Sequence, residues 1–253
     1  MTRYLQIGLL SLIVLSCTSP LYSQDDNTVG PDRPSFSTGA HIVPARRIQL
    51  EGGISKQRFG DTTGYDVGEL LLRAGLWSRF EFRFGLPTYA ETKSNDVRTS
   101  GMKDSSIGGK ILLKSGDKGA VAVLATAILP TGSRRIDEHK FQPGGTLISD
   151  VNLSKKMVVT TNVGYIYSSW EAQRHDLTFA VSTLNFALTK DINIYSEFYV
   201  QNLRHTWIHR YAATGGSWTV RKRTAFDWST GFGLYNEAHG PDYYFGFGIS
   251  RLF

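Results

Sequence analysis

Charged side chains recur at every second position along stretches that are otherwise apolar. Arg79, Glu81 and Arg83 alternate with Phe80, Phe82 and Phe84, while Glu69 and Arg73 alternate with Leu70, Leu72 and Leu76. Glu51 stands opposite Leu50 and Ile54, and Asp227 opposite Phe226 and Trp228. Tyr195, Glu197 and Tyr199 share one face of a segment whose other face is Ile194, Phe198 and Val200. An isolated charge in a low-dielectric setting costs on the order of several kcal/mol, so these groups must pair or meet water. Two chemistries fit. One is an ion-pair network that fills an enclosed space, to which Lys110 and Asp150 would also belong. The other is a polar track that guides a small solute, with Tyr195 and Tyr199 offering rings on which an aromatic molecule can stack.

Catalysis finds little support. His41, His139, His175, His205, His209 and His239 lack metal-ligand spacing, and no Gly-x-Ser-x-Gly elbow occurs. His205 and His209 read as incidental residues beside a loop. The sequence is therefore read as a non-enzyme needing no metal or cofactor. A net charge of +6 raises the question of nucleic acid, yet the densest basic cluster, Arg221-Lys222-Arg223, falls in one tight turn and is too small for a phosphate-tracking surface. No nucleic-acid partner is expected.

The elements that must position these residues have period two, which is the period of a strand; helices would need apolar spacings of three and four. Twelve strands are expected, at 46–58, 66–77, 79–90, 104–114, 119–130, 144–154, 156–168, 175–187, 191–202, 207–220, 223–236 and 242–253. Their connections alternate between tight turns and longer loops at 59–65, 91–103, 131–143, 169–174, 203–206 and 237–241. That is the layout of an all-β, twelve-stranded antiparallel up-and-down transmembrane β-barrel, with both termini on the periplasmic side of the outer membrane. Lipid supplies no hydrogen-bond partners, so the first and last strands must meet. Trp77, Trp218 and Phe253 near the short turns, and Tyr89, Tyr167, Trp207 and Tyr235 near the loops, are placed as interfacial girdles. A soluble or lipid-anchored β-sandwich that binds a ligand is the competing architecture, because one wet face per strand describes it too.

Residues 1–23 read as an export signal, with Arg3 ahead of the short apolar core Leu5 to Leu15. Cys17, the single cysteine, lies inside it, so cleavage near Gln24 and lipidation at Cys17 are alternative fates. Residues 24–45 precede the first strand and are expected to form a short plug or a periplasmic segment. The barrel occupies 46–253.

Blocks of residues in a fixed order strengthen this reading. They run from Gly30-Pro-Asp-Arg-Pro-Ser-Phe-Ser-Thr-Gly-Ala through Val43-Pro44 and Gln49-Leu50-Glu51-Gly52-Gly53 to Leu72-Arg73-Ala74-Gly75-Leu76. Leu129-Pro130-Thr131-Gly132, Asn162-Val163-Gly164-Tyr165, Asp227-Trp228-Ser229-Thr230-Gly231 and Pro241-Asp242-Tyr243-Tyr244 follow. Together they resemble the outer-membrane transporter family labelled as a meta-pathway of phenol degradation, over nearly the whole exported chain. The resemblance implies a monomeric barrel in the outer membrane that passively takes up small hydrophobic or aromatic compounds. The terminal Phe253 resembles the signal read by the barrel assembly machinery. Outer-membrane lipid, that machinery and a small solute are thus the expected partners, and a sealed structural barrel is the alternative role.

Overall fold

A computed structural model describes residues 27–136, 139–170, 173–174, 176–204, 206–234 and 241–253. The expected signal at 1–23 and the girdle position Tyr235 lie outside the described residues. The strands are β1 (Ile48–Phe59), β2 (Thr62–Trp77), β3 (Phe80–Gly85), β4 (Tyr89–Ser94), β5 (Val97–Met102), β6 (Ser105–Gly116), β7 (Gly119–Leu129), β8 (Gln142–Asn152) and β9 (Met157–Ile166). After the two-residue pairs β10 (Ser169–Trp170) and β11 (Gln173–Arg174) come β12 (Leu177–Ala187), β13 (Ile192–Leu203), β14 (Trp207–Arg221), β15 (Thr224–Gly233) and β16 (Tyr243–Leu252).

Each long strand pairs antiparallel with its chain neighbours, and β1 also pairs with β16, from Gln49 opposite Leu252 to Arg58 opposite Tyr243. The sheet is therefore a closed barrel with no edge to satisfy within lipid. Its wall has twelve staves, because β3 and β4 form one interrupted stave, both pairing with β2, and β5 leads into β6. Alternation sets the two faces. Glu51, Arg73 and Glu81 are fully buried, whereas Ile54, Phe198 and Phe247 on the outer face are 53%, 48% and 63% exposed. Trp77 and Trp218 are exposed at the short-turn end, and Tyr89 and Tyr167 at the other.

Two expected loops are corrected. The segment 59–65 is a two-residue turn at Gly60-Asp61, and 91–103 is the β4–β5 hairpin closed at Asn95-Asp96, with Lys93 paired to Arg98. Both lie above the apolar belt, where the wall continues as strand but its outer face no longer needs apolar residues. The hydrophobic alternation that marks strands elsewhere is missing there for that reason.

The strand alternation breaks midway along β2, ahead of a second register shift between Gly75 and Trp77 at its end. Glu51 pairs with Leu71 and Gly53 with Gly68, so Glu69 and Leu70 together oppose Gly52. Glu69 has a φ of +40°, in the left-handed region, which costs about 1–2 kcal/mol for a residue with a side chain. The bulge puts the inward parity of Gly64 and Asp66 out of step with that of Arg73 and Gly75, and Glu69 keeps the latter.

A candidate functional site in the filled lumen

The barrel is narrow, and the chain ahead of β1 occupies it. Val29 N–H donates to the Lys222 carbonyl in the β14–β15 turn; the chain then rises into the lumen to Phe36 and returns to β1 through Val43 and Pro44. A segment without a strand partner must satisfy its backbone donors elsewhere. Here carboxylates and amides from the wall accept them. Asp32 N–H and Arg33 N–H donate to Glu51 at 3.2 and 3.1 Å, Phe36 N–H and Ser37 N–H each to Glu197 at 3.0 Å, and Thr38 N–H to Asn162 Oδ1 at 2.7 Å. Ala40 N–H donates to Asp150 at 2.8 Å and Val43 N–H to Glu81 at 2.6 Å.

Near the short-turn end these acceptors belong to a cluster of three cations and three anions. Arg73 grips Glu81 with two nitrogens at 2.9 Å, Glu51 at 2.8 Å, and the Gly30 carbonyl at 2.9 Å. Arg83 bridges Glu81, at 2.9 Å, and Asp32; Lys110 lies 3.4 Å from Asp32 and donates to the Gly39 carbonyl at 3.0 Å. Arg73 and Arg83 are direct cross-strand neighbours, a destabilising arrangement that the carboxylates between them offset. Burial alone would raise the Asp32 carboxyl, but Arg73, Lys110 and Arg83 hold it well below the usual carboxylate range. A group depressed in this way stabilises the fold above its unfolded value, near 3.9, and loses that contribution as the pH falls through its folded value. An Asp32→Asn variant should therefore unfold at lower urea than the parent at neutral pH. The gap should close as acidification passes well below about pH 3.9, measured by urea titration at each pH.

A second ionic contact holds the rising limb. Arg33 pairs with Glu69 and lies 3.6 Å from Asp227; Ser55 donates to the other Glu69 oxygen at 2.8 Å. The guanidinium lies over Gly53 and Gly248, which face each other across the β1–β16 seam, and a Cβ on either would run into it.

Above the apex the lumen is aromatic. Phe36 stacks on Tyr199 with centroids 4.6 Å apart and meets Phe179 edge-on at 5.6 Å, and Tyr199 stacks on Tyr211 at 4.7 Å. Tyr195 reaches toward the Pro34 carbonyl at 3.5 Å. The segment from Ser35 to Gly39 divides two cavities. Ser35, Ser37 and Gly39 face one of about 780 Å³ on the short-turn side, whose walls include Asn152, Asn185, Asn193 and Ser217. Phe36 and Thr38 face one of about 180 Å³ on the loop side, walled by Leu124, Ile128, Ile166 and Phe179.

Of the residues singled out by alternation, Glu51, Arg73, Glu81 and Arg83 come together in one cluster. Glu69 and Asp227 share Arg33. Glu197, Tyr195 and Tyr199 instead contact the inner segment between Pro34 and Ser37. Arg79 is corrected: it is exposed in the Ser78-Arg79 turn, because a register shift between Gly75 and Trp77 ends the ladder early and starts β3 at Phe80. Sequence reasoning missed Asp32, Arg33 and Phe36, which belong to no strand. It also missed Asn162, Thr183 and Tyr211, whose parity with Thr160, Val181 and Ala213 places them inside. Among the described residues, no group of three or more His, Cys, Asp or Glu is placed to hold a metal ion.

A closed twelve-stave barrel with an apolar exterior and an ion-paired interior is an outer-membrane β-barrel. The chain belongs to the family described as "Putative MetA-pathway of phenol degradation", whose sequence profile matches residues 31–253. Its fold is similar to that of an outer membrane channel from Pseudomonas putida F1, with a TM-score of 0.61 at 12% identity over 91% of this chain and 99% of that one. The NanC porin (TM-score 0.57, 9% identity, 81% and 98% covered) and the KdgM porin (0.57, 10%, 80% and 98%) share it too. No curated protein sequence matches the chain.

Proposed function

We propose that this barrel passively carries small hydrophobic or aromatic compounds across the outer membrane, with residues 24–45 as its plug, 46–253 as its wall and 1–23 removed on export. The observation that carries this reading is the aromatic apex. Phe36 is 39% exposed inside the barrel, faces the loop-side cavity, and sits between Tyr199 and Phe179. A planar apolar solute arriving from outside meets rings and aliphatic side chains first. The lumenal charges below it are already paired, so the solute need not strip water from a lone ion. Barrel assembly machinery and outer-membrane lipid are its partners in biogenesis.

Solute flux into proteoliposomes tests the proposal. Phenol should enter faster than glycerol or arabinose, and Phe36→Ala should lower the ratio of phenol to glycerol flux about fivefold, because each lost ring pair removes about 0.5–1.5 kcal/mol. A ratio unchanged by the variant would remove the aromatic assignment. The hydrogen-bonded plug favours a second reading, a sealed structural barrel, which predicts no flux of any solute.

A further inference from the structure

The short-turn rim concentrates the protein's positive charge. Arg46 and Arg47 stand at the start of the wall, Arg79 in the β2–β3 turn, Lys114 and Lys118 around the β6–β7 turn, and Lys155 and Lys156 in the β8–β9 turn. Lys190 follows in the β12–β13 turn, Arg221, Lys222 and Arg223 at the β14–β15 turn, and Arg251 on the last strand. Against these twelve cations the rim sets two acids, Asp117 and Asp191. Among the described residues, the outer half of the wall with its loops is far more mixed, with eleven cations and seven acids. The rim's own balance is thus +10, well above the +6 of the whole chain.

An exposed apolar side chain accompanies the charge at every station. Trp77, 66% exposed, precedes Arg79; Leu113 precedes Lys114; Leu153, 58% exposed, precedes Lys155; Leu188 precedes Lys190; and Trp218 precedes Arg221. Ile48 follows Arg47, and Phe253 lies under the Arg251 guanidinium, 5.9 Å from its centroid. Some of the charge is engaged locally, since Arg47 and Arg223 both donate to Asn27, and Lys190 lies 3.9 Å from Asp191.

We infer that this rim is a binding surface for anionic phospholipid headgroups of the periplasmic leaflet. The cation and its apolar neighbour match the two halves of such a lipid, a phosphate above an acyl chain. The stations are also spread over the hairpins all round the barrel. A protein partner would use one side, whereas a leaflet surrounds the whole circumference.

Two tryptophans at the rim allow a direct test. The exported chain is folded into phosphatidylcholine vesicles containing either brominated phosphatidylglycerol or brominated phosphatidylcholine, and quenching of tryptophan fluorescence is compared. A single headgroup charge near one Lys or Arg is worth about 1 kcal/mol, which converts to a local preference of about fivefold for phosphatidylglycerol at low salt. The preference should fall towards unity in high salt. It should also fall when Lys118, Lys155, Lys156, Lys190, Arg221 and Lys222 are changed to Gln, and when Trp77→Phe and Trp218→Phe remove the local reporters. Equal quenching by both lipids at low salt overturns the inference, as does a preference that survives all six substitutions. Salt titration of the parent decides the matter if the six-fold variant does not fold. Binding of soluble polyglutamate together with indifference to lipid charge would reassign the rim to a soluble acidic partner.

Discussion

Changing Arg73 to Met should cost about 3–5 kcal/mol of stability, the largest effect expected of any single lumenal substitution, because removing one partner of a buried ion pair leaves the others uncompensated. Arg73 is fully buried, and its nitrogens satisfy Glu81 twice, Glu51 once and the Gly30 carbonyl once. Without it, Glu51, Glu81 and Asp32 face only Arg83 and Lys110. Met fills much of the space, so the loss reports charge and hydrogen bonds more than a cavity. Arg73→Lys should recover less than half of the difference, since one ammonium cannot reproduce the fork that meets both Glu81 oxygens. The double variant Arg73→Met with Glu81→Gln should lose less than the two single changes combined. Urea midpoints, with the shift between unboiled and boiled samples on gels as the check on folding, would measure all three. A midpoint within about 0.5 kcal/mol of the parent would show that lumenal water compensates the cluster.

The second large effect concerns release of the plug. Gly75 on β2 lies against the returning limb, and a Cβ there would press on the Val43 and Pro44 carbonyls. Those are backbone atoms and cannot swing aside as a side-chain end would. Gly75→Val should therefore destabilise the docked segment by about 1–3 kcal/mol, the usual range for overpacking, and raise the undocked population about 5- to 150-fold. No charge is removed, so the Arg73 cluster stays balanced. Ion conductance across planar bilayers should rise in proportion. Glu197→Ala acts at the opposite end of the segment, freeing the N–H groups of Phe36 and Ser37, and should move conductance in the same direction. If both variants fold and conduct no better than the parent, the lumen is closed by something other than residues 27–45.

The wall was readable because lipid and lumen make opposite demands on neighbouring residues. Phe82 faces outward and Glu81 inward, as alternation required, and the same holds along β1, β13 and β15. Alternation loses its meaning where one demand stops. Thr62 to Tyr65 and Val97 to Met102 extend the wall beyond the apolar belt and carry no such mark, and Arg79 fell to a register shift that parity cannot register. The plug was harder still. Its partners are more than a hundred residues away in several cases, such as Phe36 with Glu197 and Ala40 with Asp150, and a backbone N–H leaves no trace in sequence. What the sequence did carry was the surplus of inward carboxylates: Glu51, Glu69, Glu81, Asp150, Glu197 and Asp227 on the wall outnumber Arg73, Arg83 and Lys110. The excess is explained by their work as acceptors for a second stretch of main chain.

The seat of Arg33 has a chronological meaning. Gly53 and Glu69 belong to the first two strands and Gly248 and Asp227 to the last two, so the seat does not exist until the ends of the chain have met in register. A slip by one residue at that seam would bring a bulky side chain under the guanidinium. The stretch synthesised and exported ahead of every strand is thus the one that settles after all of them, and its settling verifies that the cylinder was sewn up correctly.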